Sequence, residues 1–218
     1  MPEQPPNRLE RRKAHTRAAL VRAAQALIAA GRTNVPVLEI TRAADVGMGS
    51  FYNHFTSKED LFRAAVEAAL EAHGTLLDTL TDELTDPARV FAQSFRLTGR
   101  LHRRQPDLSK VLLHYGFELT TSEHGLAPRA RRDIEDAARE GRFEVRDPEL
   151  ALVTVAGAAL GLGWLLHQDP ERDDAEATDR VTEDLLRMFG VGAAEAHHIC
   201  ARPLPDLDAA LDSAGFAA

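Results

Sequence analysis

Apolar residues in this 218-residue chain recur at intervals of three and four, and strict alternation is almost nowhere seen. That pattern predicts helices throughout. Leu20, Ala23, Ala24, Leu27 and Ile28 make one apolar stripe, and Gly31 supplies a left-handed residue to stop it. A short second helix is expected over Pro36 to Ala44, with Leu38, Ile40, Ala43 and Ala44 as its buried side, followed by a turn at Asp45-Val46-Gly47. A third is expected around Phe51 and Phe55, which at 100° per residue fall roughly 40° apart. Gly49, Ser50 and Asn53 then point away from that aromatic seam, with Tyr52 and His54 on its flanks. So short a helix cannot hold itself in water and has to be pinned by packing, which leaves its polar side free. Ser57-Lys58-Glu59-Asp60 resembles a capping box, with Asp60 in the place of Glu, and opens a fourth helix striped by Leu61, Phe62, Ala65, Val66 and Ala69.

Further on, Asp86-Pro87 and Asp147-Pro148 each place a cap before a proline and open helices. The first is lined by Val90, Phe91, Ser94, Phe95, Thr98 and Leu101, and Pro106 ends it. Others are expected over 108–119, over 127–140 as an exposed helix closed by Gly141, over 178–189, and around 193–200. A small-residue tail follows. The segment from Leu150 to Leu166 carries no charge and is apolar almost all round. It is at the lower length limit of a membrane span and is thinned by glycines, so burial on two sides is the better reading.

Composition changes this picture in two ways. A single cysteine, Cys200, excludes an intramolecular disulfide framework and suits a reducing cytosol; the N-terminus shows no apolar signal core, so a cytoplasmic protein without a membrane partner is expected. The net charge of −8 is unevenly spread. Residues 1–58 hold nine Lys/Arg against four Asp/Glu, a net of +5, and residues 59–218 hold 17 against 30, a net of −13. A basic head on an acidic body implies that the head meets a polyanion. Arg11, Arg12, Lys13 and Arg17 crowd the start of the first helix, where the helix dipole disfavours cations, so an external anion would explain them. Short helix, turn, short helix with an outward polar face is a helix-turn-helix, whose second helix enters the major groove of double-stranded DNA. Ser50 and Asn53 could reach base edges there, while Tyr52, His54, Lys58 and the start of the fourth helix hold phosphates.

The same residues carry a family resemblance. Ala23–Gly31 (AAQALIAAG), the spacing of Ile40, Ala43, Ala44 and Val46, and Gly49-Ser50-Phe51-Tyr52-Asn53-His54-Phe55 followed by Ser57-Lys58-Glu59 and Leu61 resemble the DNA-binding region of TetR/AcrR-type transcriptional regulators. The resemblance covers Thr16 to Leu61. It implies an all-α, TetR-like fold: an N-terminal three-helix bundle with the helix-turn-helix, then a larger C-terminal helical bundle, about 9–10 helices in total. The expected division is 8–58 for DNA binding, 59–201 for ligand sensing and dimerisation, and 202–218 as a tail. It further implies a homodimer that represses from a palindromic operator until a small-molecule effector releases it. Met48, Gly49, Ser50 and Asn53 match base-facing positions, and Tyr52, His54 and Lys58 match phosphate-holding ones; Arg17 and Arg42 of the basic head are expected to join the latter. Pro36-Val37 stands where relatives often begin the second helix with Ser or Thr, and Leu38 where some place a polar contact.

In the body, Phe91, Phe95, Leu112, Tyr115, Phe117 and Trp164 are the candidate lining of an effector pocket, on the general rule that pockets are mostly apolar with few polar anchors. Ala151, Ala158, Ala159 and Gly161, with Leu185 and Met188, are the candidate dimer face, because small residues allow close helix approach across a twofold axis. A regulator without an effector, or an activator, fits the same letters. An enzyme does not: there is no convergent catalytic set, His197-His198-x-Cys200 lacks a second ligand cluster, and Gly161-x-Gly163 follows no strand. Neither a cofactor nor a metal is expected.

Overall fold

In the computed structural model, residues 8–116 and 122–213 are described. They form eleven helices and, among the described residues, no strand. The chain divides into two compact units, Met1–Ala69 and Leu70–Ala218.

In the first unit, α1 (Arg8–Ala29), α2 (Val37–Ala43), α3 (Met48–Tyr52) and the start of α4 (Lys58–Thr81) surround a core of Leu20, Ala24, Leu27, Ile40, Phe51, Phe55, Leu61 and Phe62. Gly31 ends α1 with φ 66°, and Asp45 takes φ 54° in the α2–α3 turn, a left-handed conformation that Asp adopts more readily than most side chains. The cap of α4 differs in one detail from the capping box. Ser57 Oγ accepts from Asp60 N–H at 3.1 Å, but Asp60 reaches back to Thr56, accepting from its N–H and its hydroxyl at 3.0 and 3.1 Å. The shorter Asp side chain thereby ties in one residue earlier than the usual partner of a box.

The second unit is organised around α5 (Pro87–Arg104), which packs against α6 (Pro106–Tyr115), α7 (Leu126–Arg139), α8 (Pro148–Gln168), α9 (Asp174–Met188) and α10 (Ala193–Cys200). Asp86, Asp147 and Asp173 cap α5, α8 and α9 by accepting from N–H groups of the first turn. The Asp173 cap explains why α9 begins at Asp174, four residues before the start expected at 178. Phe91, Phe143 and Phe189 meet at ring-centroid distances of 4.9 to 5.7 Å and anchor the core with Ile134, Leu152, Val155 and Leu186. Two crossings need glycine. A Cβ at position 163 would stand 2.3 Å from the His102 ring, and one at position 99 would stand 2.2 Å from Thr178 Cγ2. Cys200 lies in the core, and burial pushes its thiol up to about 11, so it is an inert apolar filler.

Two expectations are corrected. The helix over 127–140 is not an exposed one: α7 buries Asp133, Ile134 and Ala137 on one face, since its few apolar residues all share that side. The end of the chain is not a plain tail: α11 (Leu207–Ser213) inserts Leu207 and Leu211 among Leu76, Leu77 and Leu97. Its two leucines are four apart, too short a pattern to stand out in sequence.

α8 is long and apolar enough to cross a membrane. Its phase separates two faces. Ala151, Leu152, Val155, Leu162, Gly163 and Leu166 are buried, while Leu150, Val153, Gly161 and Trp164 are exposed.

Candidate nucleic-acid interface and ligand cavity

α3 is a helix of five residues, far below the length that is stable alone. Phe51, fully buried, and Phe55 pin it, their rings 6.0 Å apart. Asn53 follows the last helical residue yet keeps helical dihedrals, φ −78° and ψ −13°, so it stays on the side opposite Phe51. Met48, Gly49, Tyr52 and Asn53 are exposed, and Ser50 and His54 are half-buried. Tyr52 stands edge-on to Phe51 at 5.1 Å. Lys58 Nζ donates to Asn34 Oδ1 at 3.1 Å, which holds its ammonium near the start of α4. Arg17 lies over the Phe55 ring, 5.2 Å from its centroid, so a cation–π contact holds the guanidinium beside the aromatic seam. Arg42 is exposed on the last turn of α2; so, against expectation, are Leu38 and Ala43, which leaves Ile40 as the fully buried member of the side expected to face inward. The result is an exposed face of small, hydrogen-bonding and cationic groups on a braced helix, and it carries no buried carboxylate. In chemistry it suits a phosphate-edged groove.

The second unit holds a cavity of about 110 Å³. Its walls come from the later part of α4 and from α5, α6, α7 and α8, and are mainly apolar: Leu70, Phe91, Phe95, Leu112, Val155 and Leu160 among them. One side is charged, with Asp78, Arg129, Arg132 and Asp133. Arg129 and Arg132 share Asp78 at 2.7 and 3.0 Å; Arg132 also holds Asp133 at 3.0 Å, and Arg129 holds Glu71 at 2.9 Å. The Arg129 guanidinium and the Gly125 N–H hold the Glu71 carboxyl down to about 2. Burial has the opposite effect on Asp133, pushing its carboxyl up despite Arg132, so it keeps a proton more readily than an ordinary carboxylate. Donors and acceptors therefore meet on one wall of an apolar chamber.

Of the residues assigned to a pocket from sequence, Phe91, Phe95 and Leu112 line this cavity. Tyr115 does not; it packs edge-on to His114 at 4.7 Å. Trp164 does not either, being 59% exposed on the outer face of α8; it was placed by residue type, and helical phase turns it outward. Phe117 lies outside the described residues. The charged wall escaped sequence reading, although Arg129, Arg132 and Asp133 recur at i, i+3 and i+4 on one face of α7.

The candidate dimer residues also separate by phase. Gly161 is exposed on α8 and Met188 is exposed at the end of α9. Ala151 and Leu185 are buried in the core of this unit, Ala159 lines the cavity, and Ala158 packs partly against the same core. Size and apolarity mark those four, whereas direction around the helix decides which face they join. Leu150, Val153 and Trp164 take their place on the exposed stripe.

Deeper in the unit lie three histidines. His73 is fully buried and neither ring nitrogen has a partner among the described residues. His102 Nδ1 meets Ser109 Oγ at 2.6 Å, and Ser109 Oγ meets His167 Nε2 at 2.8 Å. Burial pushes the His73 and His102 imidazoles down to about 4, so both are neutral near pH 7. Among the described residues no group of three or more His, Cys, Asp or Glu could hold a metal ion.

Comparison with known proteins gives these observations a family. A model of bacterial regulatory proteins, tetR family, matches residues 19–65, and one of the tetracyclin repressor-like C-terminal domain matches residues 86–202. RolR in complex with the ligand resorcinol is 34% identical, with 90% of this chain and 98% of that chain covered and a TM-score of 0.67. RolR without ligand is likewise 34% identical, over 87% and 99% of the two chains, with a TM-score of 0.68. FadR from Bacillus subtilis in complex with stearoyl-CoA shares the fold at 17% identity, over 78% and 97%, with a TM-score of 0.59. No curated protein sequence matches. With a braced helix-turn-helix in its first unit and matching family models across both units, the chain belongs to the TetR family of DNA-binding bacterial transcriptional regulators.

Proposed function

We propose that this regulator is a cytoplasmic homodimeric repressor that reads a palindromic operator and leaves it when a small hydroxylated aromatic compound fills the cavity. On this reading Met48, Gly49, Ser50 and Asn53 face base edges, and Tyr52, His54, Lys58, Arg17 and Arg42 hold phosphates. Two heads are needed, because a helix-turn-helix dimer meets half-sites roughly 34–36 Å apart. The exposed apolar stripe of α8, with Leu150, Val153, Gly161 and Trp164, together with Met188, is the face that a second copy would cover.

The observation that carries the effector reading is the cavity itself. At about 110 Å³ it is close to the ~150 Å³ engineered cavity that admits benzene, and well under the ~300–1,000 Å³ of pockets for drug-sized ligands. A single ring fits that scale. Asp78 and Asp133 can accept from ring hydroxyls, and Arg129 and Arg132 can donate to them. The 34% identity to RolR, whose structure contains resorcinol, supports the same class. Release requires that the effector bind the non-reading arrangement more tightly, since equal affinity for both shifts nothing. The proposed change is in head separation. α4 is its candidate carrier, as it begins at Lys58 and lends Leu70, Leu77 and Asp78 to the cavity.

Selection from a random duplex pool tests the reader, with an enriched palindrome expected. Thermal shift with resorcinol, catechol, phenol and benzene tests the sensor: hydroxylated rings should raise Tm more than benzene, and the compounds that do so should release the selected duplex. A pool without an enriched palindrome would overturn the first half. Duplex binding that no stabilising compound disturbs would favour a ligand-independent regulator instead.

A further inference from the structure

α5 carries Arg89, Arg96 and Arg100, two turns and then one turn apart, and Arg202 follows α10. Arg89, Arg96 and Arg202 line a groove of about 180 Å³ floored by Ala92, Ile199 and Pro203, and among the described residues no acidic one lines it. Arg96 is buried and held rigidly, its Nε and Nη2 donating to the two oxygens of Asp179 at 2.8 and 3.1 Å and its Nη1 to the Arg202 carbonyl at 2.9 Å. Arg100 donates to the same Asp179 oxygen at 2.8 Å, and its buried Nη1 has no partner among the described residues. One carboxylate thus serves two guanidinium groups.

Two more cations face the groove without an ion-pair partner among the described residues. Neither Arg89 nor Arg202 meets a carboxylate among the described residues; Arg202 Nη2 has only His198 Nε2, at 3.4 Å. The nearby acids are engaged elsewhere: Asp86, which the Arg89 charge reaches, is gripped by Arg142, and Glu183 pairs with His197. Four arginines against Asp179 leave a concentrated positive charge in a segment whose overall balance is strongly acidic. Guanidinium groups at a concave opening match oxyanions in charge and in hydrogen-bond geometry.

We infer that the groove between α5 and the segment after α10 is a second small-molecule site, which takes a small oxyanion, the phosphate or carboxylate group of a metabolite, between Arg89 and Arg202 over the charge of Arg96. It is separate from the aromatic cavity, with which it shares no lining residue. An anion here would bind α5 to the end of α10 and stiffen the helix that forms the centre of this unit.

The full-length protein is titrated with inorganic phosphate and, in parallel, with succinate, at constant ionic strength maintained with sodium chloride. Tm and calorimetric heat are followed, without any aromatic compound or DNA. Saturable stabilisation by either anion is expected, and the one that acts identifies the phosphate or the carboxylate class. Arg89→Gln and Arg202→Gln, both at solvent-reachable positions, should each weaken Kd by about tenfold, the loss of one charge-assisted contact. Arg104→Gln, which breaks only the exposed pair with Asp208, should leave Kd unchanged. Neither anion binding saturably, or equal binding by wild type and the Arg89→Gln/Arg202→Gln double variant, would overturn the inference.

Discussion

Acid should weaken the second unit through its buried histidines before most of its carboxylates titrate. His73 and His102 are buried and pushed down to about 4, against an ordinary value of about 6.5 in the unfolded chain. Between those values the unfolded state takes up protons that the folded state refuses. Stability from these rings is therefore complete above about pH 6.5 and is lost as pH falls toward 4. At pH 5 the unfolded imidazole is almost fully protonated and the folded one almost not, which amounts to about 1.5 pH units of differential binding, or about 2 kcal/mol per ring and about 4 kcal/mol for the pair. Glu71, held at about 2, loses its contribution only below its unfolded value of about 4.5 and hardly acts in this window. Asp133 is shifted up by burial and works in the opposite sense, while His167, shifted down chiefly by burial, adds to the loss. Urea denaturation at pH 7.5 and pH 5.0, at fixed protein concentration and ionic strength, gives the difference directly. A His73→Leu/His102→Asn variant should show most of it removed. A wild-type change under about 1 kcal/mol, or equal pH dependence in the variant, would refute the reasoning.

Phe51→Ala removes a fully buried ring and should destabilise the first unit by about 3–5 kcal/mol, measurable by urea denaturation along with loss of duplex binding. Asn53→Ala should alter base preference at one operator position, by about 1–3 kcal/mol if it reads a base bidentately, whereas Lys58→Ala should weaken all duplexes alike and lower the salt slope. Asp133→Asn should leave operator affinity in place but raise the concentration of hydroxylated aromatic needed for release, read by fluorescence anisotropy of labelled duplex. Trp164 is the single tryptophan, so burial of its exposed ring by a second copy should blue-shift the emission as protein concentration rises; an emission unchanged across the sedimentation-defined dimerisation range would remove α8 from the interface.

The first unit was legible because its signals are local. The Leu20–Ile28 stripe, Gly31, the Phe51/Phe55 seam and the Ser57 cap each depend on residues within a turn or two of one another, and each lies where spacing predicts. The second unit was legible as helices but not as a site. Its cavity draws on five helices, and what makes Arg129 a cavity residue is Asp78 and Glu71, more than 50 positions away. Trp164, Ala151 and Leu185 show the same limit: α8 is apolar all round, so composition does not tell which side faces inward. The packing of α5, α6, α7 and α9 against it resolves the question.

His102 against Gly163, and Thr178 against Gly99, wedge α5 into both of its long neighbours with no room for so much as a methyl group. Such joints do not slide. α8 and α9 with α5 are thus the stator of this unit, and on the proposed reading whatever travel an occupied chamber produces is expected to come from α4 and α7, which Glu71 and Asp78 tie to Arg129 and Arg132 through ion pairs that can be remade. A disulfide or cross-link laid across the α5–α8 crossing should accordingly leave induction intact, while one joining α4 to α7 should jam it.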